Sequence, residues 1–168
     1  MTPFMFRSSL DEAYRDALEG LVFFNPRQHE AESGIARGIE LYGAPAIVSD
    51  AAGIRVVVGQ RNDVQCLFAM APARHGLALA GMIVYLRTSK EEIVVLHIAV
   101  SDRFSRNQRS GLQVLMALVR AVRDVAHRLR GVQRLRLVYL QGRQFQIAIK
   151  STRPLSQSSL TAMASASI

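Results

Sequence analysis

Between Glu92 and Leu140 the hydrophobic period changes from two to 3.6 and back to two, and this run constrains the fold more than any other feature. Glu92–Val100 is an apolar, β-branched stretch that reads as a strand. From about Ser110 to Arg130, Leu115, Leu118, Val119, Val122, Val125, Ala126 and Leu129 recur at helical spacing, Arg120, Arg123, His127 and Arg130 occupy another face, and Gly131 supplies a terminator. Arg134–Leu140 then alternates as a returning strand. An apolar stripe of that width must cover a sheet, so strand, helix and strand form one crossover with the two strands parallel.

Upstream, Ala46–Ser49, Ile54–Gly59, Val64–Met70 and Leu77–Leu86 are further strand candidates, joined by short turns that permit only an antiparallel meander. Two helices are predicted before them. In the first, Ser9 and Glu12 are spaced as a capping box ahead of Leu10, Ala13, Tyr14, Ala17, Leu18 and Leu21, and Asn25-Pro26 ends it. The second runs from about His29 to Tyr42, with Ile35, Ile39 and Tyr42 on one side. A last strand is expected over Gln144–Lys150, after a turn at Gln141-Gly142. The expected class is therefore α+β: a mostly antiparallel mixed sheet with two N-terminal helices and one long crossover helix. At 168 residues the chain has room for one core, placed over residues 1–152, with the Ser/Ala-rich residues 153–168 expected to be a disordered tail.

Charge is distributed unevenly. Residues 1–100 carry nine basic and eleven acidic side chains, whereas residues 101–168 carry twelve basic and two acidic. Such an excess favours an anionic partner for the C-terminal part, although nineteen of the 21 basic residues are Arg, a bias that genome composition alone can produce. Cys66 is the only cysteine and lies in an apolar run, so an inert buried thiol and a reducing, cytoplasmic setting are expected. The longest apolar region, Val64 to Leu86, is interrupted by Arg74 and His75 and is not expected to cross a membrane. His29, His75, His97 and His127 are too dispersed to suggest a metal site.

The junction between Val100 and the long helix is the most informative stretch for chemistry. A strand delivering the chain through a polar loop into a helix N-terminus presents unpaired N–H groups and the positive end of the helix dipole, with Arg103, Arg106 and Arg109 beside them. A phosphate or pyrophosphate site is one interpretation. The other needs no ligand: Ser110 and Gln113 fit a capping box.

The strand Ile98-Ala99-Val100, the polar loop, Gln108-Arg109-Ser110-Gly111-Leu112-Gln113 and the long amphipathic helix together resemble the core of the GNAT N-acetyltransferase superfamily. Gln108, Gly111 and Gln113 stand at the defined positions of its Q/R-x-x-G-x-G/A pattern, with Gln113 in the place of Gly or Ala. The resemblance implies that the loop, through Arg106, Gln108, Arg109, Ser110, Gly111, Leu112 and Gln113, holds the pyrophosphate of acetyl-CoA or another acyl-CoA. It also implies that Ile98, Ala99 and Val100 pair with the pantetheine arm. The activity implied is acyl transfer to a small-molecule or peptide amine.

Such a reaction wants a base for a protonated amine, and His97 is the first candidate and Glu92 the second. Strand alternation places His97 with Ile93, Val95 and Ala99 and puts Glu92 on the opposite face. Tyr139 is the candidate acid, because no final helix carrying the family's frequent tyrosine is recognisable after Leu140. From a different class comes a non-catalytic domain of the same fold that binds nucleic acid or a protein partner through Arg120, Arg123, Arg128, Arg130, Arg134, Arg136, Arg143 and Lys150. A homodimer through a free sheet edge is the third expectation.

Overall fold

The computed structural model describes residues 4–25, 32–138 and 145–149. In chain order these form β1 (Met5–Arg7), α1 (Arg15–Val22), α2 (Glu32–Tyr42), β2 (Pro45–Asp50), β3 (Gly53–Val58), β4 (Val64–Ala73) and β5 (Gly76–Arg87). There follow β6 (Glu92–Val100), α3 (Asp102–Ser105), α4 (Gln108–Arg128), β7 (Arg134–Leu137) and β8 (Phe145–Ala148). The sheet order is β1-β4-β5-β6-β7-β8, and β2 and β3 make a separate two-stranded sheet. Every pairing is antiparallel except β6 with β7, which are parallel across the α4 crossover. The protein is thus α+β with a mixed, mostly antiparallel sheet.

Both faces of the six-stranded sheet are covered. Phe68, Met82, Val84, Leu86, Val94 and Leu96 pack against Leu18, Leu21 and Val22 of α1 and against Ile54, Val56 and Val58 of β3. On the opposite face, Ala80, Ile83, Tyr85, Ile93, Val95 and Leu135 meet Val114, Leu118, Val122 and Ala126, the innermost i, i+4 row of α4. Burial on two sides explains why Leu79–Leu86 is a continuous apolar run rather than an alternation. Leu118, fully enclosed, contributes on the order of 1.5–3 kcal/mol. A glycine lets α4 settle this deeply, since a β-carbon on Gly81 would stand 2.7 Å from the Ala99 carbonyl oxygen and 2.9 Å from Val114 Cγ1.

Several expectations require correction. The Ser9–Glu12 capping box does not form, because Leu10 is drawn into a β-bridge with Ile54, each N–H donating to the other's carbonyl at 3.0 and 2.8 Å. The helical segment begins instead as a 3-10 turn at Glu12–Tyr14, and Glu12 pairs with Arg15 and accepts from Ser49. This bridge holds Gly53 against the Leu10 carbonyl at φ +114°, where a side chain would collide. The meander is split, since β2 and β3 leave the main sheet. Met5–Arg7, not anticipated as a strand, pairs with Phe68–Met70 at the sheet edge.

The long helix starts two residues earlier than expected, capped by Asn107, whose Oδ1 accepts from the Arg109 N–H at 3.0 Å; Ser110 and Gln113 are not its cap. At its other end Arg87 donates to the carbonyls of Lys90 (2.6 Å) and Arg130 (2.9 Å), tying the helix terminus to the β5–β6 turn. The expected tail over 153–168 lies outside the described residues.

Candidate functional site

Pairing of β7 with β6 is described over Glu92–Val95, where the Val138 N–H donates to the Val95 carbonyl at 3.1 Å, and β6 itself continues to Val100. The Ser101 N–H donates to Ala80 on the β5 side at 2.9 Å, so alternation turns the N–H and C=O of Ile98 and Val100 away from β5 and those of Ala99 toward it. Asn25, after the end of α1, donates from Nδ2 to the Val100 carbonyl at 3.2 Å. The sequence marks Asn25 only as a helix terminator, and nothing local signals a contact 75 residues away.

The chain then enters α3, an extra turn of helix inside the expected loop. Arg106 is tied to Asp102 through two hydrogen bonds of 2.9 and 2.7 Å, while the Arg103 guanidinium lies 5.9 Å from the Phe104 ring centroid. Arg109 is exposed and makes no ion pair among the described residues. At the start of α4 the N–H of Arg109 is taken by Asn107 and that of Gly111 by the Asn107 carbonyl at 2.9 Å, which leaves those of Gln108 and Ser110 without a described backbone partner. Gly111 faces α3 rather than open space. Leu112 (58% exposed) and Gln113 turn to solvent, so Gln113 does not crowd the loop.

His97 is not on the face that alternation assigned to it. A bulge intervenes: Val84 partners His97 and Tyr85 partners Val95, so Leu96 is an extra residue and the alternation resets. Ile93 and Val95 lie against α4, whereas Leu96 and His97 both line a cavity of about 340 Å³ on the opposite side, between the sheet, α1, α2 and the β2–β3 hairpin. Burial lowers the His97 pKa from 6.5 to about 4, so the ring is neutral at physiological pH. A second cavity, of about 450 Å³, lies between the end of α1, the start of β5 and Ser101–Arg103.

Glu92 does not share a site with His97. It stands five residues away along β6, roughly 15 Å at ~3.3 Å per residue, and its carboxylate accepts from Thr88 Oγ1 (3.0 Å) and Arg136 (3.4 Å). Arg136 also reaches the Tyr42 hydroxyl at 3.4 Å; desolvation lowers its pKa, but these two partners outweigh that and hold it above the usual value. Tyr139 lies outside the described residues. Cys66 is buried, its Sγ donates to the Val56 carbonyl at 2.9 Å, and burial pushes the thiol up to about 11.

Among the described residues no three His, Cys, Asp or Glu side chains are grouped to hold a metal ion, and no helix is long and apolar enough to cross a membrane. Comparisons of the chain with protein-family models, with curated proteins and with solved structures return no match.

Proposed function

We propose that this protein is an acyl-CoA-dependent N-acyltransferase of GNAT-like fold, with acetyl-CoA as the first candidate donor and an amine as acceptor. The observation that carries the proposal is the delivery of β6 through α3 to the α4 N-terminus, where the N–H groups of Gln108 and Ser110 have no described backbone partner and Arg103 and Arg109 are exposed. Such a helix end can bind phosphates, and the backbone groups of Ile98, turned away from β5, can pair with an amide-bearing chain.

The residues present fit this use. The N–H and C=O of Ile98 would hold the pantetheine arm. The N–H groups of Gln108 and Ser110, with Arg103 and Arg109, would hold the pyrophosphate. An acyl-CoA supplies an acyl thioester, from which the amine displaces the thiol: one C–N bond forms, one C–S bond breaks and the amine's proton passes to sulfur. The Val100 N–H, turned away from β5, would be the chain's donor to the oxygen that gains charge.

Acetyl-CoA is expected to raise the melting temperature, by the equivalent of about 2.7 kcal/mol at a hundredfold excess over Kd. Arg103→Glu with Arg109→Glu should abolish most of that shift without lowering the unliganded melting temperature, since both side chains are exposed. No shift at millimolar acetyl-CoA would remove the proposal. A non-catalytic, polyanion-binding role draws support from Arg120, Arg123, Arg128 and Arg130, exposed on or just after α4 with no ion pair among the described residues. It requires nucleic-acid binding that falls steeply with salt and is lost on Arg120→Glu with Arg123→Glu.

A further inference from the structure

The 340 Å³ cavity beside His97 has a lining that restricts what enters it. Of the fourteen described residues that line it only Tyr42 and His97 carry polar side-chain atoms, and none of the fourteen is Asp, Glu, Lys or Arg. Glu92, the acid near the start of the same strand, is already paired with Arg136. A cation entering this space forfeits its hydration with no opposite charge among these fourteen residues to compensate. The bulge at Leu96 turns His97 into the cavity, one residue before Ile98, whose N–H and C=O turn away from β5.

We infer that this cavity binds an amine that is uncharged at neutral pH and carried on an apolar ring system, the chemistry of an arylamine, and that it discriminates against alkylammonium ions. That the bound amine is an acyl acceptor rests on the transferase proposal; the preference for uncharged apolar ligands rests on the cavity alone. At ~30 Å³ per non-hydrogen atom, taking water's share of liquid volume as the measure, the space holds on the order of ten such atoms, a bicyclic ring. His97 agrees with this choice: desolvated and neutral, it is too weak a base to take a proton from an alkylammonium.

Two probes of nearly equal shape separate the alternatives. 1-Naphthylamine is unprotonated at pH 7.5, and 1-(aminomethyl)naphthalene is a cation. Titration of the full chain, followed by probe fluorescence and calorimetry, should give blue-shifted 1-naphthylamine emission and a Kd at least about tenfold lower than for the cation. Val58→Phe, which fills the interior, and Ala44→Trp, at the exposed rim, should each weaken 1-naphthylamine binding about tenfold or more. Ala44→Trp leaves the core untouched and so keeps the test meaningful if Val58→Phe does not fold. Equal or tighter binding of the cation, or wild-type affinity in a folded Ala44→Trp or Val58→Phe protein, overturns the inference. Failure of acetyl-CoA to bind, with 1-naphthylamine binding intact, would sink the transferase proposal and leave the cavity's preference standing.

Discussion

Gly111 of α4 approaches Ser105 of α3 so closely that a β-carbon on it would stand 3.3 Å from the Ser105 Cα and 3.6 Å from the Phe104 carbonyl oxygen. Its glycine thus has a packing role whether or not a cofactor binds. Alanine would gain about 1 kcal/mol of helix propensity, but the opposing atoms are main chain, fixed by the Ser101 carbonyl accepting from Phe104 and Ser105. Gly111→Ala is expected to lower stability by about 1 kcal/mol and Gly111→Val by about 2–3 kcal/mol, measured by urea unfolding. A more stable alanine variant would refute this packing role.

Gly81 should be the less tolerant of the two. A β-carbon there meets the Ala99 carbonyl, Val114 and Leu118 together, and so lies between the sheet and the helix that covers it. Gly81→Ala is expected to cost about 2–4 kcal/mol by lifting α4 off β5. Thermal denaturation reads this directly, and a loss below about 0.5 kcal/mol would show that α4 can shift without penalty.

His97 predicts an acid-sensitive stability. Its pKa is about 6.5 in the unfolded chain and about 4 in the fold, so between these values the unfolded state binds a proton that the native state refuses. The stabilisation is complete above roughly pH 7 and is lost as the pH falls toward 4, by on the order of 3 kcal/mol. His97→Leu removes this dependence. The difference in unfolding free energy between the two proteins, measured at pH 7.5 and 4.5, should therefore shift toward the variant in acid, while the carboxylates common to both cancel. Parallel pH profiles would show that His97 is protonated in place.

Most elements were legible because their signals are local. Glu92–Val100 appears with the expected boundaries, and the α4 stripe, its Gly131 terminator (φ +87°) and the parallel return of β7 follow from a period of 3.6 set between two of 2. The candidate site was less so. The sequence places the helix start near Ser110, yet the cap at Asn107 and the bulge that sets which way His97 faces depend on how the chain pairs with β5, and no pattern within β6 encodes that.

Determined by the sequence alone are the order of the longer elements from α1 to β7, the crossover and the concentration of arginine after residue 100, because periodicity, connection length and charge are properties of neighbouring residues. Only the tertiary structure decided that Leu10 bridges Ile54 instead of entering a helix, that β2 and β3 leave the main sheet, that Asn25 reaches Val100, and that a bulge turns His97 into an apolar cavity. Each of these is a competition between long-range partners for the same backbone groups or the same buried surface, and its outcome is set by what the rest of the chain brings alongside.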